Sequence, residues 1–381
     1  MSTFYEFFAG GGMARAGLGG GWQCTFANDF DAAKAAIYRK NWGDDHLVEG
    51  DIAKVTTRQL PGEVDLAWAS FPCQDLSLAG CYRGLEGERS GTFWTFWQLM
   101  LGLRRENRAP KIITIENVYG ILTSNDSLDF RAIATACAEA GYTVGAMIVD
   151  ACYFLPHSRP RFFLIGVRND LTIPDRLKSE SPHFVWHPAR LLEAYSKLSN
   201  NVKDRWIWWN LPEPEPNIPT LVSMIEETPT LVAWHTSEET RRLLAMMSER
   251  NAAKVRAAQA LPGKTVGTLY KRMRKDEKGA KVQRAEVRFD KIAGCLRTPA
   301  GGSSRQTIMV VNGQHVRSRL LSPREAVRLM GLPDTYQLPE KYNDGYKLAG
   351  DGVVVPIVSH LRRHLFGPIV RANERVLRQA V

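Results

Sequence analysis

Apolar residues run together in short stretches at residues 4–8, 25–28, 64–70, 112–116, 143–149 and 161–167. Runs of this length read as strands buried on both faces. Between them the apolar positions spread to helical spacing, as at residues 32–41, where positions 33, 36 and 37 share a side, and at residues 130–140. Strand alternating with helix through the first half of the chain predicts the α/β class, with a mostly parallel, doubly wound sheet carrying helices on both faces. Such sheets hold their ligands at the carboxyl ends of the strands. The strand-end residues are therefore the ones to inspect.

Beyond about residue 175 the pattern breaks. Prolines crowd into Leu211-Pro212-Glu213-Pro214-Glu215-Pro216 and aromatics into Trp206-Ile207-Trp208-Trp209. Regular patterning returns at Ser322-Pro323-Arg324-Glu325-Ala326, where a serine cap and a proline in the first turn open a helix. The expected organisation is an α/β domain over residues 1–173, a smaller domain over 174–290, and a junction with C-terminal helices over 291–381, the last returning to the first domain.

Composition narrows the classes. A 381-residue chain with 44 % hydrophobic residues can bury a substantial core, and no stretch is long and apolar enough for a membrane-spanning helix. The opening Met1-Ser2-Thr3-Phe4-Tyr5-Glu6 lacks the features of a signal peptide. Six cysteines are scattered without a Cys-x-x-Cys pair, which argues against a disulfide framework or a metal site and for a reduced, cytoplasmic setting. Net charge is +10, and residues 250–291 hold thirteen lysines and arginines against four acids, so nearly all of the excess lies there. A field so concentrated favours a polyanion, nucleic acid first, although a solvated basic face gives the same count.

The first strand runs into Phe8-Ala9-Gly10-Gly11-Gly12 and then a helix from Met13. Glycines there allow a tight turn and close approach of the backbone to a ligand. The second strand ends at Asn28-Asp29-Phe30, placing a carboxylate for ribose hydroxyls and a ring for an adenine face; a third polar end is Gly50-Asp51-Ile52. Together they point to an adenosine-containing cofactor, yet the turn matches neither the dinucleotide fingerprint nor a P-loop. Cys73 follows the fourth strand and Glu116-Asn117-Val118 closes the fifth. A free thiol is only a few per cent ionised at neutral pH and needs a nearby cation or helix end to become a nucleophile. His157-Ser158-Arg159-Pro160-Arg161 adds two fixed cations for carbonyl or phosphate oxygens. Thiol, protonatable carboxyl, arginines and adenosine site suit the addition of a nucleophile to an electron-poor ring.

With Phe71-Pro72-Cys73-Gln74, Arg89-Ser90-Gly91-Thr92-Phe93 and the helix that starts at Ser322-Pro323, these pieces resemble, in order, the DNA (cytosine-5) methyltransferases of the bacterial and phage type. The resemblance implies a Rossmann-like, S-adenosylmethionine-dependent methyltransferase sheet with a smaller target-recognition domain. It implies Cys73, Glu116, Arg159 and Arg161 as catalytic residues. Cys73 attacks C6 of a cytosine swung out of the duplex, Glu116 engages N3 and the exocyclic amine, and Arg161 holds O2, with Arg159 nearby for the same ring or a phosphate. It assigns S-adenosylmethionine to Phe8, Ala9, Gly10, Gly11, Gly12, Asp29, Phe30, Asp51, Ile52, Pro72, Thr92, Asp351 and Gly352. DNA falls to Ser77 and Arg89 in a closing loop, to Lys271, Arg272, Arg274 and Lys275 as phosphate partners, and to Ser303, Ser304 and Arg305 at the domain junction. No metal is implied. Double-stranded DNA is the partner, a cognate restriction endonuclease an open one, and action as a nucleoid-associated monomer the expectation. Trp206, Trp208 and Trp209 read as the core of the smaller domain rather than as base wedges.

Two departures stand out. Gly350-Asp351-Gly352-Val353 carries an aspartate where the family has an asparagine, near the cofactor's amino-acid tail, and His157 replaces the glutamine that opens the arginine motif. Two other readings stay open. One is a cytosine-5 RNA methyltransferase acting on transfer RNA; the other is a catalytically impaired DNA-binding homologue.

Overall fold

The computed structural model describes residues 1–72, 91–296 and 305–379. By its contacts the chain divides into two compact units, one of Met1–Asp150, Pro160–Pro214 and Val353–Val381, the other of Ala151–Arg159 and Glu215–Gly352.

The first unit is built on seven strands: β1 (Ser2–Phe7), β2 (Trp22–Asp29), β3 (Leu47–Glu49), β4 (Leu66–Ala69), β5 (Ile112–Val118), β6 (Tyr142–Asp150) and β7 (Pro160–Arg168). Their order across the sheet is β3-β2-β1-β4-β5-β7-β6. The first five are parallel, and β7 runs antiparallel between β5 and β6. That reversal brings the beginning of β7 to the edge where β1, β2, β4 and β5 end. The apolar runs predicted six of these strands; β3, three residues long, is too short to show a pattern.

Both faces of the sheet are covered. On one, Tyr5, Phe7, Phe26, Ile113, Ile115 and Phe162 pack with helices α3 (Thr92–Arg105) and α4 (Leu128–Glu139), whose Phe93, Phe96, Trp97, Phe130 and Ile133 recur at helical spacing. α1 (Met13–Leu18) and α2 (Ala32–Trp42) precede them in the chain. On the other face, Trp68 of β4 meets Phe163 and Phe366, and Gly17 of α1 lies against Val358, where no side chain would fit. The segment after Val353 therefore completes this core. Burial of rings such as Trp68 contributes roughly 2–3 kcal/mol each.

The unit boundaries differ from the expected ones. Residues 174–214 belong to the first unit because they close the outer edge of β6: the Ile207 N–H donates to Val144 O (2.7 Å), Val144 N–H to Arg205 O (2.8 Å) and Ile148 N–H to Trp186 O (2.8 Å). An uncovered edge strand is a site for unwanted pairing. Gly145 carries no side chain where the Ile207 carbonyl and the Trp209 ring press on it. Trp209 is fully buried, Trp208 nearly so, and Trp206 packs with them; they are core, but of the first unit. The division between the units falls within the proline run, between Pro214 and Glu215.

The second unit holds a four-stranded antiparallel sheet in the order Lys281–Arg288, Lys264–Lys275, Thr307–Asn312, His315–Leu320. Leu269, Val287, Met309 and Val311 pack there against Leu243, Met247 and Val255. The predicted helix start at Ser322 is present as a capping box, with Ser322 and Glu325 each accepting the other's backbone N–H and proline in the first turn. Glu325 also pairs with Arg319, both fully buried. No helix among the described residues is long and apolar enough to cross a membrane.

Candidate active site

The chain leaves β1 through Phe8, which adopts a left-handed conformation (φ 58°), followed by Gly10 (φ 56°) and Gly12 (φ 77°). The turn is fastened to β2: Ala9 N–H donates to Asn28 O (2.9 Å) and Gly10 N–H to the Asp29 carboxylate (2.8 Å). Beneath it Trp42 donates its indole N–H to Gly11 O (2.9 Å), and a Cβ at Gly12 would lie 2.3 Å from that nitrogen. Gly12 must be glycine on both counts. Gly10, in contrast, faces open space. Asp29 also accepts the Asp31 N–H (2.9 Å), and burial holds its carboxyl above the usual carboxylate range.

Phe30 stands 71 % exposed beside Asp29, an uncovered ring at a strand end. The Asn28 amide donates to Val48 O (2.8 Å) and Gly50 O (3.0 Å), which draws the third strand end to the second. Asp51 is exposed there and caps the following turn through the Ala53 N–H (2.9 Å), whereas the Ile52 side chain lies in the core. Open glycine backbone, exposed ring and two carboxylates within one unit fit a cofactor that carries adenosine. Thr92 opens α3, and Pro72 is exposed next to buried Phe71. Asp351 and Gly352 are the last residue and the cap of the helix Tyr342–Asp351 in the second unit.

A buried polar cluster supports the glycine turn. Glu6, in the middle of β1, accepts the Arg15 N–H (3.2 Å) and the Tyr38 hydroxyl (3.4 Å). Burial pushes its carboxyl up to about 7 despite these donors. Arg15 donates to Tyr38 Oη (3.2 Å), contacts His46 Nε2, and lies 5.1 Å from the Trp42 ring. Sequence reasoning passed over this cluster; its one signal was a glutamate inside an apolar strand.

Glu116 and Arg161 come together. Glu116 lies opposite Phe163 and Val118 opposite Arg161 in the antiparallel ladder, so the carboxylate and guanidinium are diagonal neighbours on one face. Arg161 Nε is 3.4 Å from Glu116 Oε1, and both side chains are about nine-tenths buried. Arg161 Nη1 donates to Pro160 O (2.9 Å). Asn117, between them in register, points the other way and donates to Phe71 O (3.0 Å), two residues before Cys73. The Phe71 ring meets Phe8 edge to face at 6.3 Å, which ties that segment to the glycine turn. Cys73, Ser77, Arg89, Ser303 and Ser304 lie outside the described residues.

Arg159 has a different setting. It is buried in the second unit and donates to Gly350 O (2.7 Å), Gly352 O (2.8 Å) and Leu296 O (3.2 Å). The guanidinium grips main chain around Asp351 instead of presenting a fork to a ligand. His157, also buried, bonds Leu329 O through Nδ1 (2.9 Å) and lies 3.4 Å from the Leu296 N–H through Nε2. Lys271, Arg272, Arg274 and Lys275 are exposed along one strand, with Arg274 paired to Glu286. Arg305 donates to Asn343 (2.6 Å) and stacks over Tyr342. No cluster that could hold a metal ion occurs among the described residues.

The strand order and the polar residues at its carboxyl edge define a Rossmann-like methyltransferase fold. The family model for C-5 cytosine-specific DNA methylases matches residues 2–367, and the chain belongs to that family. It is thus a DNA (cytosine-5) methyltransferase. The chain is 25 % identical over 360 residues to the type II methyltransferase M.HhaI of Haemophilus parahaemolyticus, covering 94 % of this chain and 92 % of that one. It is also 25 % identical over 373 residues to M.Bsp6I of Bacillus sp. (strain RFL6), covering 96 % and 99 %. Among solved structures, the Entamoeba histolytica methyltransferase EhMeth superposes with a TM-score of 0.59 at 15 % identity, over 96 % of this chain and 98 % of that one. The S. pombe Dnmt2 methyltransferase gives 0.55 at 17 %, over 95 % and 97 %. These last two bear on the fold alone.

Proposed function

We propose that the chain methylates C5 of a cytosine turned out of double-stranded DNA, through a covalent bond between Cys73 and C6. The observation that carries this reading is the Glu116–Arg161 pair. Cytosine presents a donor amine, N3 and an acceptor O2 in sequence along one edge. A carboxylate beside a guanidinium complements that order, whereas thymine or uracil would set a carbonyl against the carboxylate.

Asn117 holds the carbonyl of Phe71, so the chain enters Cys73 from a fixed point. Attack of the Cys73 thiolate on C6 makes the C–S bond and shifts the C5–C6 electron pair to C5. Glu116 delivers a proton to N3 and Arg161 holds O2, so that negative charge does not accumulate on the ring. S-adenosylmethionine, when bound, supplies an electrophilic methyl group on a sulfonium. Gly10, Asp29, Phe30 and Asp51 would hold its adenosine part. C5 takes the methyl group with its electron pair, the sulfonium leaving as a neutral thioether. Loss of the C5 proton to water and return of the N3 proton to Glu116 then re-form the C5–C6 double bond and expel Cys73 as thiolate, leaving 5-methylcytosine. Extrahelical presentation is required because C5 and C6 are shielded in the stack. Arg159 acts here as a positioning residue for the main chain around Asp351, and Lys271, Arg272, Arg274 and Lys275 attract the DNA backbone.

Labelled S-adenosylmethionine and duplex DNA, incubated with the protein and with Cys73→Ala, then read by bisulfite sequencing, test the reading. Methylation within one short sequence context, absent in the variant, is expected. Label in transfer RNA but not in DNA, or label retained by Cys73→Ala, would overturn it.

A further inference from the structure

The strand Lys264–Lys275 pairs with Thr307–Asn312 only as far as Leu269, opposite Thr307, but with Lys281–Arg288 as far as Lys275, opposite Lys281. Among the described strands, residues 270–275 are therefore paired on one side only. They leave the sheet as a two-stranded ribbon about 17 Å long. Its tip is closed by the Asp276 carboxylate, which accepts the N–H groups of Lys278 (2.9 Å) and Ala280 (2.8 Å).

Side chains alternate between the two faces of a ribbon. One face carries Tyr270, Arg272 and Arg274 opposite Glu286, Arg284 and Val282. It is tied within itself: Arg274 makes a two-pronged contact with Glu286 (2.5 and 2.9 Å), and Arg272 lies 3.5 Å from the same carboxylate. The other face carries Lys271, Met273 and Lys275 opposite Ala285, Gln283 and Lys281, with no acid among them. At its centre Met273, 56 % exposed, stands directly opposite exposed Gln283. At its outer end Lys275 and Lys281 face each other. Like charges in that relation destabilise a ribbon, and an exposed methionine contributes nothing to a core that ends at Leu269 and Ala285. The fold gives no reason for the Met273–Gln283 and Lys275–Lys281 pairs.

Resting on the function proposed above, we propose that this ribbon enters the major groove of DNA and that Gln283 and Met273 read base edges there. The groove is about 12 Å wide and admits a two-stranded ribbon. A glutamine amide matches the donor and acceptor of adenine's N6 and N7, and a thioether suits the thymine methyl, so the recognised context contains an A·T pair. Lys275 and Lys281 neutralise the flanking phosphates.

The test uses the full chain, a pool of duplexes randomised around one cytosine, and the variants Gln283→Ala, Met273→Ala and Lys275→Ala. Gln283→Ala is expected to lower kcat/KM on preferred duplexes about ten- to a hundredfold and to erase preference at one A·T position, leaving duplexes without that pair unchanged. Lys275→Ala is expected to weaken binding alike for all sequences and to reduce the salt slope by about one. A preferred context without A·T, unchanged preferences in Gln283→Ala and Met273→Ala, or equal losses on every sequence would overturn the assignment. A wild-type protein that methylates no DNA would instead overturn the proposed function, and the ribbon's role with it.

Discussion

The side-chain amide of Asn117 donates to the main-chain carbonyl of Phe71 at 3.0 Å, in a buried setting, while its own oxygen accepts the Val118 N–H at 2.8 Å. The end of β5 thereby fixes the exit of the chain from β4. Asn117→Ala leaves a buried carbonyl without its donor, which costs about 1–3 kcal/mol. It should also lower kcat by roughly a hundredfold through misplacement of the following residues. Single-turnover rates and cofactor affinity separate the effects: reduced stability with an unchanged rate would limit Asn117 to the fold.

Glu116 and Arg161 are expected to respond asymmetrically. Glu116→Gln keeps the shape and removes the ionisable group proposed to exchange a proton with N3, so activity should fall by roughly 10²- to 10⁴-fold. Arg161→Met leaves a carboxylate buried without its countercharge and should cost about 3–5 kcal/mol. The double variant should regain most of that stability and none of the activity. Denaturant unfolding of the three proteins checks this; additive losses would show that the pair is not coupled.

Glu6 should imprint a pH dependence on stability. Burial raises its carboxyl from an ordinary value of 4.5 to about 7 in the folded chain. Below the ordinary value both states hold the proton. Between the two values the folded state holds it and the unfolded state does not, so stability falls as pH rises, by about 3 kcal/mol across the window. Above the folded value the loss is complete. Glu6→Gln should flatten this slope in unfolding curves recorded from pH 4 to 8, and an unaltered slope would assign it to other groups.

Arg159→Lys is a severe change despite keeping the charge. A lysine cannot span the carbonyls of Leu296, Gly350 and Gly352 with a planar fork. A loss of several kcal/mol is expected. Asp351, between two of those carbonyls at a helix C-terminus, puts a negative charge where the helix dipole disfavours one. Asp351→Asn is expected to tighten S-adenosylmethionine binding, as read by calorimetry. Unchanged affinity would remove Asp351 from the cofactor's surroundings.

Much of this was legible in the chain. Strands β1, β4, β5 and β7 are continuous apolar runs because both faces of the sheet are covered, and Ser322 followed by Pro323 announces a helix start. The position of Asp29 and Phe30 at a strand end was legible because polar and aromatic residues stand at the end of an apolar run. What escaped depends on relations distant in sequence. Residues 174–214 were assigned to the middle domain by composition, yet main-chain hydrogen bonds to the edge of β6 hold them to the first unit, and such bonds leave no trace in side-chain pattern. Arg159 and Arg161 look equivalent two residues apart, but one turns to the carbonyls around Asp351 and the other to Glu116. The cluster of Glu6, Arg15, Tyr38 and His46 assembles from β1, α1, α2 and the loop after α2, none of which signals the others.

The antiparallel course of β7 has an evolutionary corollary. Glu116 and Arg161 meet through ladder register, not through the length of the chain between them. Deleting one residue from the nine of β7 would turn its side chains to the opposite face and separate the two. Homologous sequences should accordingly admit no insertion or deletion within β7.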